Sequence, residues 1–274
     1  NLEDNVLWVP MNEAFTQIQE SMKNGDTPEY KEALKKVLQE QFADLIEQYG
    51  FEINVTAGSF NSVNIWRIDA QSIYHMIAIM IANSYWYLKE NGINESIPSG
   101  NFGHVYGLLQ AKKMLWWQVW NIIVSCNEND AIYKLIKFGK YKKADTEISC
   151  PSVSMIIKYG SNVERLFAML YGDKVTKEFM KKFEAWEEIV LSQQQHQKLL
   201  DLWLHTYRIS IQEELYAIRK TWLNTQELIC PHTANALVSA EKYKLEFPND
   251  NRKILVSKTA DAWKFVAALA TALS

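Results

Sequence analysis

Residues 95–126 read "ESIPSGNFGHVYGLLQAKKMLWWQVWNIIVSC". Two short apolar runs, "INESIP" ending at Pro98 and "QVWNIIVSC" ending at Cys126, flank a stretch whose apolar residues recur at helical spacing. The second run is rich in β-branched residues, which suit a pleated strand. No Asn-Gly turn of the hairpin kind joins the two runs. The stretch therefore predicts a strand, a crossover helix and a second, parallel strand.

The same alternation continues on both sides. Upstream, "TPEYKEALKKVLQEQFADLIEQYG" offers Thr27 as N-cap, Pro28 at the first helical position and Gly50 just past the end. "FEINVT" (51–56) reads as a strand. From Ala70 to Leu88, nineteen residues carry no formal charge. Gln71, Ser72, His75, Asn83 and Ser84 make this a buried helix rather than a membrane span, with Asp69 to cap its start and Gly92 its end. Downstream, "NENDAIYKLIKFG" predicts a helix ending at Gly139, and "ISCPSVSM" an extended segment. Helical spacing then runs from Ser161 to about Leu204 with a break near Leu191. "SIQE" (210–213) is a capping box that opens a helix to about Asn224. "ELIC" and "KILVS" read as strands, "PHTANALVSAEKY" and "ADAWKFVAALATAL" as helices. The expected fold class is α/β, a mainly parallel sheet with helices on both faces. Residues 1–50 form a helical lead-in and residues 51–274 the α/β domain.

Composition narrows the function. The chain has 274 residues with 48% hydrophobic and 22% charged, enough for a substantial core. A net charge of −3 gives no electrostatic basis for binding nucleic acid. Cys126, Cys150 and Cys230 lie far apart with no CxxC pair, and the five histidines lack metal-ligand spacing. The expectation is reduced thiols in a cytoplasmic protein with no metal, no membrane and no nucleic acid. The chain opens on Asn1 without a leader, as a piece of a longer protein would.

The loop "SGNFGH" (99–104) stands where a strand hands over to a helix. In an open parallel sheet, ligands bind beyond the carboxyl ends of the strands. A helix N-terminus there offers unpaired N–H groups and a partial positive charge, which suit a phosphate. Gly100 and Gly103 allow close approach, and one of them is expected at positive φ. The six-residue dinucleotide fingerprint is absent, and a plain tight turn would use the same residues.

A second stretch, "NSVNIWRIDAQ" (61–71), adds weight. With this motif and "PSGNFG" in order, the chain resembles the threonine synthases, pyridoxal-phosphate enzymes of the tryptophan-synthase-β fold. "GSNVERLFAMLYG", "CPHTANAL" and "KTADAWKF" resemble further family segments, so the resemblance covers about residues 55–270. It implies that Gly100, Asn101, Phe102 and Gly103 hold the phosphate of pyridoxal 5'-phosphate and that Thr259 sits at the ring nitrogen. It also implies that Ser62, Arg67 and His104 meet the phosphate of a small phosphorylated amino-acid substrate. An arginine fork suits a phosphate dianion.

Departures accompany the matches. His104 stands where the family usually has Asp or Asn, so the charge there depends on pH. Asp261, Ala262 and Trp263 replace the family's His-Pro-x. The Schiff-base lysine, which the family carries in a segment like A-F-K-D before NSVN, has no counterpart here, so no catalytic residue is assigned. The chain is thus expected to correspond to the C-terminal two-thirds of such an enzyme and to be inactive without the missing N-terminal segment. The activity implied is a lyase converting O-phosphohomoserine, or a related compound, by phosphate elimination and water addition. The alternative is an inactive threonine synthase-like binding or interaction module.

Overall fold

The computed structural model describes residues 65–86, 92–115 and 118–274, which belong to one compact unit spanning residues 60–274. "FEINVT", Ser62 and the boundary expected at residue 50 lie outside the described residues. Helix α1 (Ile65–Trp86) leads to strand β1 (Ile93–Pro98), helix α2 (Gly103–Met114) and strand β2 (Val119–Cys126). Helix α3 (Ala131–Phe138) and the short strand β3 (Lys140–Tyr141) follow. Next come helix α4 (Val163–Glu184), strand β4 (Ile189–Val190), helix α5 (Gln193–Leu200) and strand β5 (Leu204–Arg208). Helices α6 (Ile211–Thr225) and α7 (Pro231–Glu246), strand β6 (Lys253–Val256) and helix α8 (Val266–Leu273) complete the chain.

The main sheet has the order β5-β2-β1-β6, and each neighbouring pair is parallel. β3 and β4 form a separate antiparallel pair. From β1 the chain steps outward through β2 to β5, then crosses back to β6 on the other side of β1. The carboxyl ends of β1 and β6 therefore flank the point where the winding reverses, the usual place for a ligand crevice in open α/β sheets.

Alternation along β1 shows why helices cover both faces. Glu95 Oε1 contacts His75 Nδ1 of α1 at 2.7 Å, and Ile93 and Ile97 join the core with Val105 and Leu108 of α2. The intervening residues turn the other way. Ser96 Oγ donates to the Ala236 carbonyl of α7 at 2.6 Å, and Asn94 Nδ2 donates to Asp250 at 2.8 Å. Ala234, Ala236, Ser239 and Ala240 are buried on α7. Such small side chains let the helix axis approach the sheet closely. A second core, built from Ile209, Ile218, Val238 and Leu269 among others, joins α6, α7 and α8.

Several local expectations hold. Gly139 closes α3 at φ 66, and Ser210 with Glu213 makes the capping box of α6. The break near Leu191 is β4 followed by a second capping box, Ser192 with Gln195. Other expectations are corrected. "ELIC" is not a strand but a coil, and its last residue, Cys230, takes extended φ/ψ in order to cap α7. β5, which begins where the stretch expected to be helical ends, was not expected from the sequence. "ISCPSVSM" is coil with one 3₁₀ turn at Val153–Met155. Asp69 lies inside α1, which already begins at Ile65, and caps nothing.

The helix expected to be buried is buried along one side only. Ile68, Ser72, His75, Ile79 and Ala82 face inward, while Ile73, Ile77, Met80 and Ile81 are each at least half exposed. No helix among the described residues is long and apolar enough to cross a membrane.

Candidate active site

Two loops leave the carboxyl ends of neighbouring strands, and their anchoring explains their shape. After β1, the Ser99 amide extends the ladder by donating to the Ser125 carbonyl at 2.9 Å. The Asn101 carbonyl then accepts both the amide of Asn162 and its side-chain Nδ2, each at 3.0 Å. Asn162 belongs to "GSNVER", so that segment clamps the loop from the start of α4. Phe102 is buried and carries φ 63. This corrects the expectation for the glycines, since the left-handed residue is the phenylalanine, fixed by burial of its ring. Gly100 is needed for space instead, because a Cβ there would lie 2.6 Å from the Ser154 carbonyl oxygen.

The first backbone bond of α2 runs from the Tyr106 amide to the Phe102 carbonyl at 2.9 Å. Among the described residues, the amides from Gly100 to His104 have no backbone acceptor. Those of Phe102 to His104 are orphan donors of the helix N-terminus, and those of Gly100 and Asn101 lie just before it.

After β6, the Ser257 amide donates to the Ser96 carbonyl at 3.0 Å and its hydroxyl to Glu95 at 2.9 Å. The Thr259 amide donates to Thr233 Oγ1 at 3.3 Å, which ties this loop to the first turn of α7. Thr259 Oγ1 lies 3.9 Å from Cys230 Sγ. Burial pushes the Cys230 thiol up, but hydrogen bonds from His232, Thr233 and Thr259 outweigh it and hold it at about 6. His232 Nε2 accepts the Ser154 amide at 3.1 Å, which fixes the proton of a neutral ring on Nδ1.

These elements enclose one cleft of about 380 Å³. Arg67, Gly100, Asn101, Phe102, Gly103, His104 and Thr259 all line it, so the structure brings together every described residue singled out from the sequence. Sequence reasoning missed Gln71, Tyr74, Ser154, His232, Lys258 and Phe265 in the same lining. A signal existed for two of them: Gln71 and Tyr74 follow Arg67 by four and seven residues along α1, the spacing of one helix face. A larger cavity of about 840 Å³ lies behind the Lys258–Ala260 segment, lined by Trp222, Leu228 and Trp263. It lacks the loop amides and Arg67, so the smaller cleft is the one with convergent polar groups.

The electrostatics are mixed. The His104 imidazole is pushed down to about 3 by burial first, then by the positive charges of His75 and Arg67. Tyr74 is raised by burial and then by the Glu95 carboxylate. Lys258 is bound to Glu227 at 2.6 Å. At Glu214, which is bonded to Ser152 and Asn235, burial lifts the carboxyl to about 7 against those hydrogen bonds, which pull it down.

No protein-family model matches the chain. It is 28% identical over 213 residues to a threonine synthase of Pseudomonas aeruginosa, covering 76% of this chain and 42% of the relative. Human threonine synthase-like 1 is 28% identical over 227 residues, covering 81% of this chain and 30% of that protein. The crystal structure of yeast threonine synthase superposes with a TM-score of 0.72 at 25% identity, over 84% of this chain and 48% of that one. The chain is similar to the threonine synthases. It spans less than half the length of these relatives. Pyridoxal-phosphate-bound threonine synthase from Brucella melitensis shares the fold with a TM-score of 0.67 at 21% identity, over 89% of this chain and 49% of that one.

Proposed function

We propose that the cleft holds pyridoxal 5'-phosphate and belongs to a lyase of the threonine synthase kind. The substrate of that lyase is O-phosphohomoserine or a related phosphorylated amino acid. The observation that carries this reading is the meeting of Arg67, the 100–104 loop and Thr259 in one cleft at the reversal point of the sheet. The residues fit the cofactor. The amides of Gly100 to His104 suit its phosphate, and the absent Cβ of Gly100 leaves the loop backbone close to the Ser154 wall. Thr259 offers an uncharged hydroxyl at the other end, which does not force a ring nitrogen to stay protonated. When bound, this cofactor supplies an electron sink for carbanion chemistry. The chain's own part is positional: Asn162 fixes the loop, Thr233 fixes Thr259, and Arg67 presents a permanent cation to a second phosphate.

One observation favours the reading of a binding module without activity of its own. Lys258 is the lysine in the cleft lining among the described residues, and its ion pair with Glu227 raises it further from the neutral form. A protonated amine cannot attack an aldehyde. The expectation is that this chain binds the cofactor through hydrogen bonds and charge alone.

The test is titration with pyridoxal 5'-phosphate, followed by borohydride reduction and peptide mapping. Saturable binding that Arg67→Ala leaves intact and Gly100→Ala weakens, with no reduced lysine adduct, supports the cofactor cleft and the non-covalent mode. Stoichiometric reduction onto one lysine, with release of phosphate from O-phosphohomoserine, overturns the non-covalent mode. Absence of saturable binding overturns the cofactor assignment itself.

A further inference from the structure

Behind the cleft wall lies a group of ionisable side chains that the cofactor reading does not use. Glu95, in the middle of β1, and His75, on α1, are both fully buried. Glu95 Oε1 takes the His75 Nδ1 contact at 2.7 Å and the Ser257 hydroxyl at 2.9 Å. Glu95 Oε2 and His75 Nε2 have no hydrogen-bond partner among the described residues. A buried carboxyl without hydrogen-bond partners is costly, so the His75 ring and the Ser257 hydroxyl hold Glu95 in the sheet. The His75 ring in turn stacks on His104, with centroids 4.6 Å apart and planes at 28°. His104 is the member of this array that lines the cleft.

We propose that His104 takes up a proton when a phosphate dianion enters the cleft, and that the buried Glu95–His75 pair behind it sets this response. The proposal rests on the reading of the cleft as a phosphate site and adds to it the charge state of the wall. Two stacked imidazoles at this distance cannot both be cationic without strong repulsion. The Glu95 carboxyl contacts the inner ring, His75, and not His104, so the outer ring has no acidic partner of its own. The outer ring is then left as a free base, consistent with its depressed pKa, with Arg67 and Tyr74 of α1 on the same wall and His232 and Lys258 elsewhere in the lining.

An anion in the cleft reverses the balance on His104. A proton from solvent binds the free ring nitrogen and the imidazolium donates to the anion, so one negative charge of the ligand is met by a cation absent in the free protein. Each unit of opposite charge within about 4–6 Å raises such a pKa by about 1–3 units. The wall thus matches a phosphate dianion in two steps, one permanent charge from Arg67 and one acquired from His104. A neutral or zwitterionic ligand would not recruit the second.

The experiment follows the ring resonances of His104 by NMR between pH 5 and 8, assigned by their loss in His104→Gln. Sulfate is the probe, because it does not titrate in this range. The free protein is expected to show no His104 titration above pH 5. Saturating sulfate, a dianion, is expected to bring its midpoint up by at least about two units, into the window. In His75→Phe, which keeps a stacked ring without charge, the midpoint with sulfate bound is expected to lie above that of the wild type with sulfate bound.

A His104 that stays untitrated with sulfate bound overturns the proposal while leaving the phosphate cleft standing. An unchanged titration in His75→Phe overturns the role of the buried pair. Failure of both sulfate and pyridoxal 5'-phosphate to bind overturns the proposal and the cofactor reading together.

Discussion

Replacing Gly100 with alanine is the sharpest perturbation of the loop. The backbone there does not occupy the left-handed region, where φ is positive only at Gly92, Gly139 and Gly172 among the described glycines. The cost is therefore steric. The new methyl would sit 2.6 Å from the Ser154 carbonyl oxygen, so one side must retreat by roughly half an ångström or more to reach ordinary contact.

Ser154 has little room to yield. Its amide is held by His232 at 3.1 Å, and the turn around it is closed by Met155 to Ser152 at 2.9 Å and Ile156 to Val153 at 3.1 Å. Overpacking of this kind costs about 1–3 kcal/mol. For a unit of this size that is a fall in melting temperature of about 2–4 °C per kcal/mol. Because the strain falls on the loop that would hold the phosphate, affinity for pyridoxal 5'-phosphate should fall at least about tenfold, equivalent to 1.4 kcal/mol. Thermal unfolding with and without cofactor measures both. Gly100→Ala with unchanged melting and unchanged affinity would refute the packing argument and the loop assignment together.

Asn162→Ala removes the side-chain donor to the Asn101 carbonyl and leaves the backbone amide in place; a loss of about 0.5–1.5 kcal/mol in stability and weaker cofactor binding are expected from denaturation and titration. Cys230 has its folded pKa held at about 6, below the ordinary value near 9. Its contribution is therefore fully present above the unfolded value and lost as pH falls through about 6. It amounts to at most about 4 kcal/mol, less whatever water screens. Cys230→Ser keeps a capping oxygen and should flatten that dependence in urea titrations at pH 6 and pH 9. Glu214 runs the other way, because its folded pKa is raised to about 7. Its contribution is present below about 4.5 and lost as pH rises through 7, so Glu214→Gln should be more stable than the wild type at pH 8 by up to roughly 3 kcal/mol.

The parts of this fold that were legible in the sequence are those governed by local chemistry. Capping at Ser210 and the glycine stop at Gly139 depend on a few neighbouring residues, and both stand. β5 was hidden because its five residues come only three residues after α5, and Leu204 and Thr206 face inward only once β2 is beside them. "ELIC" misled because an N-cap uses the same extended backbone as a strand, and Cys230 serves as the cap.

The cleft residues of the two loops were legible as motifs, but the conformation of Phe102 was not. No local rule puts phenylalanine at positive φ, and its ring is held there by tertiary packing. Glu95 was the least legible residue of all. A carboxylate in a six-residue strand reads as an exposed position, and only the folded chain brings His75 against it, twenty residues earlier in sequence.

The central claim is that the 100–104 loop, Arg67 and Thr259 form one cofactor cleft. A crystal structure of this chain soaked with pyridoxal 5'-phosphate tests it most directly. The account predicts phosphate density on the amides of Gly100 to His104, with the ring nitrogen directed to Thr259 and Arg67 facing the open side of the same cleft. Cofactor bound elsewhere, or in this cleft with its phosphate away from the loop, would contradict it.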